Sequence, residues 1–248
     1  MSDSYLLLLA RAEDSSVRVL ARQAANRLAH ASIADLSAPG WQCVVGCPER
    51  ATARADGRTL EVARIAAVLC RIPRVTASDL QTIHSHDREY AAAETTAFLR
   101  AWLLQFRGIR CNEPTWMSLA GSGWHPLYWT HLVAGLGIPV LTVSRAASIA
   151  RMSCETATAI VAGSEVFGVA EPLLVDHSLR IACAVKARSL AIRFVRDRLW
   201  RFQSADPCPD LDEPAAAALL RDVFAASTRH AAIASRASTE AGVSCDVR

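Results

Sequence analysis

Four short segments carry side chains that could act together. They are Cys70-Arg71-Ile72-Pro73-Arg74 at the end of an apolar run, Glu94 in a helical stretch, Cys111-Asn112-Glu113-Pro114, and Gly135-Leu136-Gly137-Ile138-Pro139. Glu94 lies four residues before Phe98 and eight before Trp102, so the spacing predicts that it shares their apolar face. A carboxylate there is costly unless paired, and Arg71 or Arg74 is its natural partner. The expected pair, with Asn112 close by, is either an ion pair fastening helix to sheet or part of a binding site. Other signals are weaker. The first apolar run is followed by Ala10-Arg11-Ala12-Glu13-Asp14, which has no glycine cradle for a pyrophosphate, and no Walker A sequence exists. Ala120-Gly121-Ser122-Gly123 lacks the spacing of a nucleophile elbow, so Ser122 and His125 read as a helix cap and a surface imidazole. Cys43-x3-Cys47 has no second ligand pair, and His84-x-His86 has only Asp87 and Glu89 nearby. No metal site is expected from them.

The elements that must position these groups follow from hydrophobic patterning. Tyr5 to Leu9 is a continuous apolar run, as a strand covered on both faces would be. Asp14 or Ser15 can cap a helix carrying Val17, Leu20, Ala21, Ala24 and Leu28. Trp41 to Val45 and Leu60 to Cys70 read as strands, and 86–106 as a long helix. Gly108 to Asn112 reads as a short strand ending in a loop. Pro126 opens a further helix that Gly135 or Gly137 closes, and Pro139 to Val143 is an apolar strand. Strands alternating with helices predict a mostly parallel sheet with helices on its faces. Ser178 to Phe202 suggests two or three antiparallel strands, and 206–212 a turn-rich connector. Asp212-Glu213-Pro214 starts a helix, and the tail from Ser227 carries weak signals. The fold class is therefore α/β: a parallel-sheet N-terminal domain over 1–143, a reduced α+β lobe over 144–227, and a weakly structured tail over 228–248.

Composition narrows the function. The chain has 248 residues and is 52% hydrophobic, too apolar for disorder. A net charge of +3 does not call for nucleic acid or an anionic membrane. The start, Met1-Ser2-Asp3-Ser4, lacks the basic region of an export signal, and the eight cysteines read as reduced thiols in a cytoplasmic protein. Between Thr115 and Ser144 there is no charged residue, but Gly123, Pro126, Gly135, Gly137 and Pro139 interrupt it, so no membrane span is expected. Of the 27 basic residues, only Lys186 is a lysine. A mechanism needing two lysines is excluded.

The order of the four segments resembles the N-terminal domain of ATP-grasp ligases. It is most similar to the branch holding glutathione-synthetase-like, ribosomal-protein glutamate-ligase-like and peptide-maturation enzymes. There a strand ends in an Arg-rich x-R-x-P-R-like segment, a helix with an early Glu follows, then a strand ending in N-x-P, then a helix closing in G-I-P. Here those pieces are Arg71 to Arg74, Glu94, Asn112 to Pro114 and Gly137 to Pro139. The resemblance covers about residues 5–143 and implies Arg71, Arg74, Glu94 and Asn112 as substrate-binding residues. It also implies lysines on the nucleotide phosphates and carboxylates on magnesium. The slot before the G-I-P helix reads Ser122-Gly123-Trp124-His125-Pro126, without a lysine, and no acidic set or E-x-N pattern is visible near the end. The expectation is a shortened, degenerate ATP-grasp relative without a cofactor. It would be a binding or accessory partner in a biosynthetic or peptide-modifying pathway, with a protein partner or a second copy and a peptide or amino-acid-like ligand. An active ATP-dependent carboxylate–amine ligase is the alternative; it would use ATP and magnesium, with Lys186 and Arg180 on the nucleotide. An unrelated small-molecule-binding α/β domain is the third reading. Trp116, Trp124, Tyr128 and Trp129 are candidates for an apolar interface patch.

Overall fold

The computed structural model describes residues 4–141 and 154–242. The expected domain boundary at 143/144, and the end of the strand expected at Pro139 to Val143, lie outside them. Strand β1 (Tyr5–Leu9) sits inside a parallel sheet with β2 (Leu28–Ala31) on one side and β5 (Ile65–Cys70) on the other, and β6 (Ile109–Arg110) completes the order β2-β1-β5-β6. Alternation along β1 explains its unbroken apolar run. Leu6 and Leu8 face one layer, Leu7 and Leu9 the other, and all four are fully buried.

One layer holds α1 (Ser15–Ala24), whose first turn Asp14 caps by accepting from the Ser16 N–H at 3.0 Å. The other holds a hairpin, β3 (Thr52–Ala55) and β4 (Arg58–Glu61), and the long helix α3 (Arg88–Gln105); a single helical turn, α2 (Ile33–Leu36), precedes them. Helix α3 buries Ala92, Leu99, Trp102 and Leu103. Trp102 sets this face: it meets Trp41 edge-on at 5.3 Å, stacks on Phe106 at 5.6 Å and donates to the Thr52 carbonyl at 2.9 Å.

The second sheet is antiparallel, in the order β10-β9-β7-β8, from β7 (Glu155–Ala162), β8 (Glu165–Phe167), β9 (Ser189–Arg196) and β10 (Trp200–Asp206). Helices α4 (Pro126–Gly135) and α5 (Pro172–Ala184) cover one of its faces through Trp129, Val133, Leu174, Ile181, Ile192, Phe194 and Phe202. Pro139–Leu141 runs beside β10, with Leu141 donating to the Phe202 carbonyl. The last helix, α6 (Glu213–Gly242), packs Ala215, Leu219 and Val223 with Leu20 of α1 and Ala162 of β7, joining the two sheets in one core.

The α/β architecture stands as expected, with five local differences. Leu28, expected on the helix after Asp14, begins strand β2, because α1 ends at Ala24. Trp41 to Val45 makes only a bridge from Gln42 to Thr52. The expected strand from Leu60 to Cys70 is two strands separated by a 3-10 turn at Val62–Arg64. The segment 178–184 is helix, not strand, because Leu174, Ser178, Ile181 and Ala182 bury at helical spacing. The tail read as weakly structured from 228 is helical as far as Gly242, consistent with the high helix propensity of its alanines.

Helix α5 also buries His177 against Phe194, its Nδ1 without a hydrogen-bond partner among the described residues. Burial lowers its pKa below the ordinary 6.5, opposed by the neighbouring Asp176 and helped by Arg180. The unfolded chain thus takes up this proton more readily than the folded one, so stability falls as pH falls below the free value. His177→Leu should flatten the loss of stability between about pH 7 and about pH 5, measured by urea unfolding at each pH.

Candidate functional site

Parallel sheets offer a crevice where neighbouring strands connect in opposite directions, at their carboxyl ends. Here that point lies between β1 and β5, where Ala10-Arg11 faces Arg71-Ile72. It is filled by protein. The Arg71 side chain is 3% exposed, and its Nε and one terminal nitrogen donate to the two Asp14 oxygens at 2.7 and 3.1 Å. Its other terminal nitrogen donates to the Pro209 carbonyl at 2.8 Å. Arg11 is spent similarly: it donates twice to Asp79, at 3.0 and 2.8 Å, and once to the Arg74 carbonyl. Burial alone would raise the Asp79 carboxyl, but hydrogen bonds from Arg11 and Thr76 more than offset it and hold it at about 2.

Asn112 is the second fastening. Its amide nitrogen donates to the carbonyls of Ala120, Ser189 and Pro207 at 2.9–3.1 Å. Its oxygen accepts from the Arg188 and Ser189 N–H groups. Gly121 permits the fit: with φ at +115°, it approaches so closely that a Cβ would stand 2.7 Å from the Asn112 Cβ. Arg71 and Asn112 therefore meet on the same turn, at Pro209 and Pro207.

Glu94 and Arg74 are not part of this group. Glu94 is exposed and lines a separate hollow with Trp41, Leu80 and Phe98. The expected pairing with Arg71 or Arg74 is corrected for a geometric reason. Eight residues along a helix turn the side chain by about 80°, so Glu94 stands off the Trp102 face. Arg74 is exposed beside Glu89, Thr96 and Arg100. Lys186 and Arg180 are also apart. Lys186, in the left-handed region at φ +52°, lines a hollow of 660 Å³ with Cys183 and the Arg188–Asp222 ion pair. Arg180 bonds Asp176 and the Leu136 carbonyl.

The remaining chemical surfaces are caps and packing. His125 Nδ1 accepts from the Leu127 N–H and caps α4. The four aromatics do not form one exposed patch. Trp129 is buried, and Trp124 packs between it and Tyr128, with ring centroids 5.0 and 4.5 Å apart. Trp116 and Tyr128 are exposed. Among the described residues, no helix is long and apolar enough to cross a membrane.

One concave surface keeps uncommitted charge: the face of the second sheet turned away from α5. Thr158, Arg193 and Ser204 form a row across β7, β9 and β10, and Ile160, Ala191 and Asp206 form the next. With Cys208, Pro209 and Asp210 they enclose a hollow of 530 Å³. Composition alone hid this site. Its available signal was the outward Arg193 between inward Ile192 and Phe194. ATP and magnesium do not fit its donors. The centre is a guanidinium, there is no lysine, and no group of three His, Cys, Asp or Glu side chains is placed to hold a metal ion among the described residues.

No family model and no curated protein matches the sequence. Solved structures do. The ATP-grasp ligase PsnB, complexed with a phosphomimetic variant of minimal precursor, Mg and ADP, aligns at TM-score 0.68 and 12% identity over 90% of this chain and 99% of that chain. The macrocyclase MdnC from Microcystis aeruginosa MRC, bound with precursor peptide MdnA, aligns at 0.68 and 11% over 89% and 99%. A RiPP-associated ATP-grasp ligase from Chryseobacterium gregarium, in complex with ADP and a leader and core peptide, aligns at 0.63 and 8% over 88% and 96%. The parallel sheet, the antiparallel sheet and the helices on them are thus arranged as in an ATP-grasp-like fold.

Proposed function

We propose that this chain works without ATP, as a cytoplasmic binding or accessory partner in a biosynthetic, peptide-modifying pathway. The distribution of fixed charge carries the reading. Transfer of a phosphoryl group from MgATP needs cations and metal-bearing carboxylates converging on one triphosphate. Here the sole lysine lines one hollow and Arg193 another, and the arginines at the β1–β5 crevice are spent on Asp14, Asp79 and backbone carbonyls. A peptide ligand is supported by the similar structures that contain precursor peptides. Exposed Trp116, Met117, Leu127 and Tyr128 add apolar surface suited to a protein partner.

Calorimetry with ATP and magnesium chloride tests the reading. No saturable heat is expected at ligand concentrations up to about 1 mM. A magnesium-dependent dissociation constant near about 1 μM would overturn it in favour of the active carboxylate–amine ligase, with Lys186 the first residue to mutate.

A further inference from the structure

We propose that the hollow on the open face of the second sheet binds a free, apolar α-amino acid as its zwitterion. Three features of the surface converge on that chemistry. The first is an uncommitted cation. The Arg193 side chain is exposed at the middle of the sheet and makes no hydrogen bond or ion pair among the described residues. Its cross-strand neighbours, Thr158 and Ser204, bring hydroxyls and no charge. A guanidinium between two hydroxyls suits a carboxylate, which accepts two parallel N–H bonds and further O–H donors.

The second is a pair of oriented anions. Asp206 accepts the Cys208 N–H at 2.9 Å through one oxygen, and Asp210 accepts the Ser15 hydroxyl at 3.1 Å through one oxygen. These bonds fix the two carboxylates, and the second oxygen of each has no protein donor among the described residues. Asp206 stands opposite Ala191, one diagonal step from Arg193. Diagonal neighbours sit about 7–8 Å apart at Cα, within reach of a long side chain, yet Arg193 forms no ion pair with Asp206. A cation and anions held apart in one hollow match a ligand that carries both charges on one carbon. The Arg71 guanidinium behind the turn adds no net charge, because Asp14 neutralises it.

The third is the floor. Ile160 and Ala191 lie in the row beside Arg193, and Pro209 closes one wall, so the ligand side chain meets apolar surface. The same anions disfavour a nucleotide: without a metal, a polyphosphate would face Asp206 and Asp210.

The inference stands apart from the ATP-independent reading above, and one set of titrations tests both. L-leucine, L-isoleucine, L-methionine and L-phenylalanine are titrated by calorimetry into the full chain, each beside its N-acetyl form and its amide. At least one free amino acid should bind with a dissociation constant near about 1 mM or tighter. Its N-acetyl form and its amide should each bind about tenfold weaker or worse, since each lacks one charge-assisted contact. Arg193→Gln and Asp206→Asn should weaken binding by a similar factor while leaving the thermal midpoint of the free protein unchanged. Silence from all four amino acids, equal binding of the blocked forms, or indifference to both substitutions would overturn the proposal. If MgATP is silent as well, the ATP-independent reading survives that failure; if MgATP binds while all four amino acids stay silent, both fall.

Discussion

Asn112→Ala should lower the unfolding free energy by about 3–5 kcal/mol, making it one of the most destabilising single substitutions in the chain. The size follows from what the side chain touches. It is buried, and it donates to carbonyls in the loop after β6, at the start of β9 and in the turn after β10. It also accepts from the Arg188 and Ser189 N–H groups. Removing the amide orphans several backbone groups, each worth about 1–3 kcal/mol when buried without a partner. Gly121 packs against the Asn112 Cβ, so a smaller residue leaves space that a water can enter, and the lower half of the range then applies. Urea unfolding measures the loss. A change below about 1 kcal/mol would show that the two sheets do not depend on this clamp.

The same residue shows where sequence reading works and where it stops. Tyr5 to Leu9, the Asp14 cap, Pro126 at the head of α4 and Glu213-Pro214 at the head of α6 were legible because each signal is local. Asn112 was legible as a candidate, but its partners are backbone carbonyls as far as 95 residues away, which no side-chain pattern announces. Glu94 departs from the expectation because closeness to apolar residues in sequence does not ensure a shared face: the buried stripe runs through Ala92, Leu99, Trp102 and Leu103. The segment 178–184 differs from the expected strand because a short apolar run fits helix and strand alike. Arg193, Asp206 and Asp210 escaped notice because only strand pairing brings them to one hollow. Arg71 was legible, together with Arg74, as a candidate partner for a carboxylate on an apolar face, but its partner is Asp14, 57 residues earlier, and not the expected Glu94.

That exchange of partners gives the second large effect. Arg71→Met should cost about 3–5 kcal/mol, because it strands the Asp14 carboxylate and removes the donor to the Pro209 carbonyl. Asp14→Asn keeps a side-chain oxygen for the cap on Ser16 but leaves the buried Arg71 uncompensated, so it too should destabilise strongly. The double variant should lose less than the sum of the two, by about 1–3 kcal/mol, because neither charge then remains to be stranded. The cycle separates two roles for Arg71. As a fastening between β5, α1 and the turn before α6, it couples to Asp14 and its loss lowers the denaturant midpoint. As a ligand-binding residue it would be free to leave Asp14, the coupling would shrink below about 0.5 kcal/mol, and Arg71→Met would leave the midpoint in place. The geometry favours the first outcome: all three of its donor contacts go to Asp14 and Pro209, and only 3% of the side chain reaches solvent.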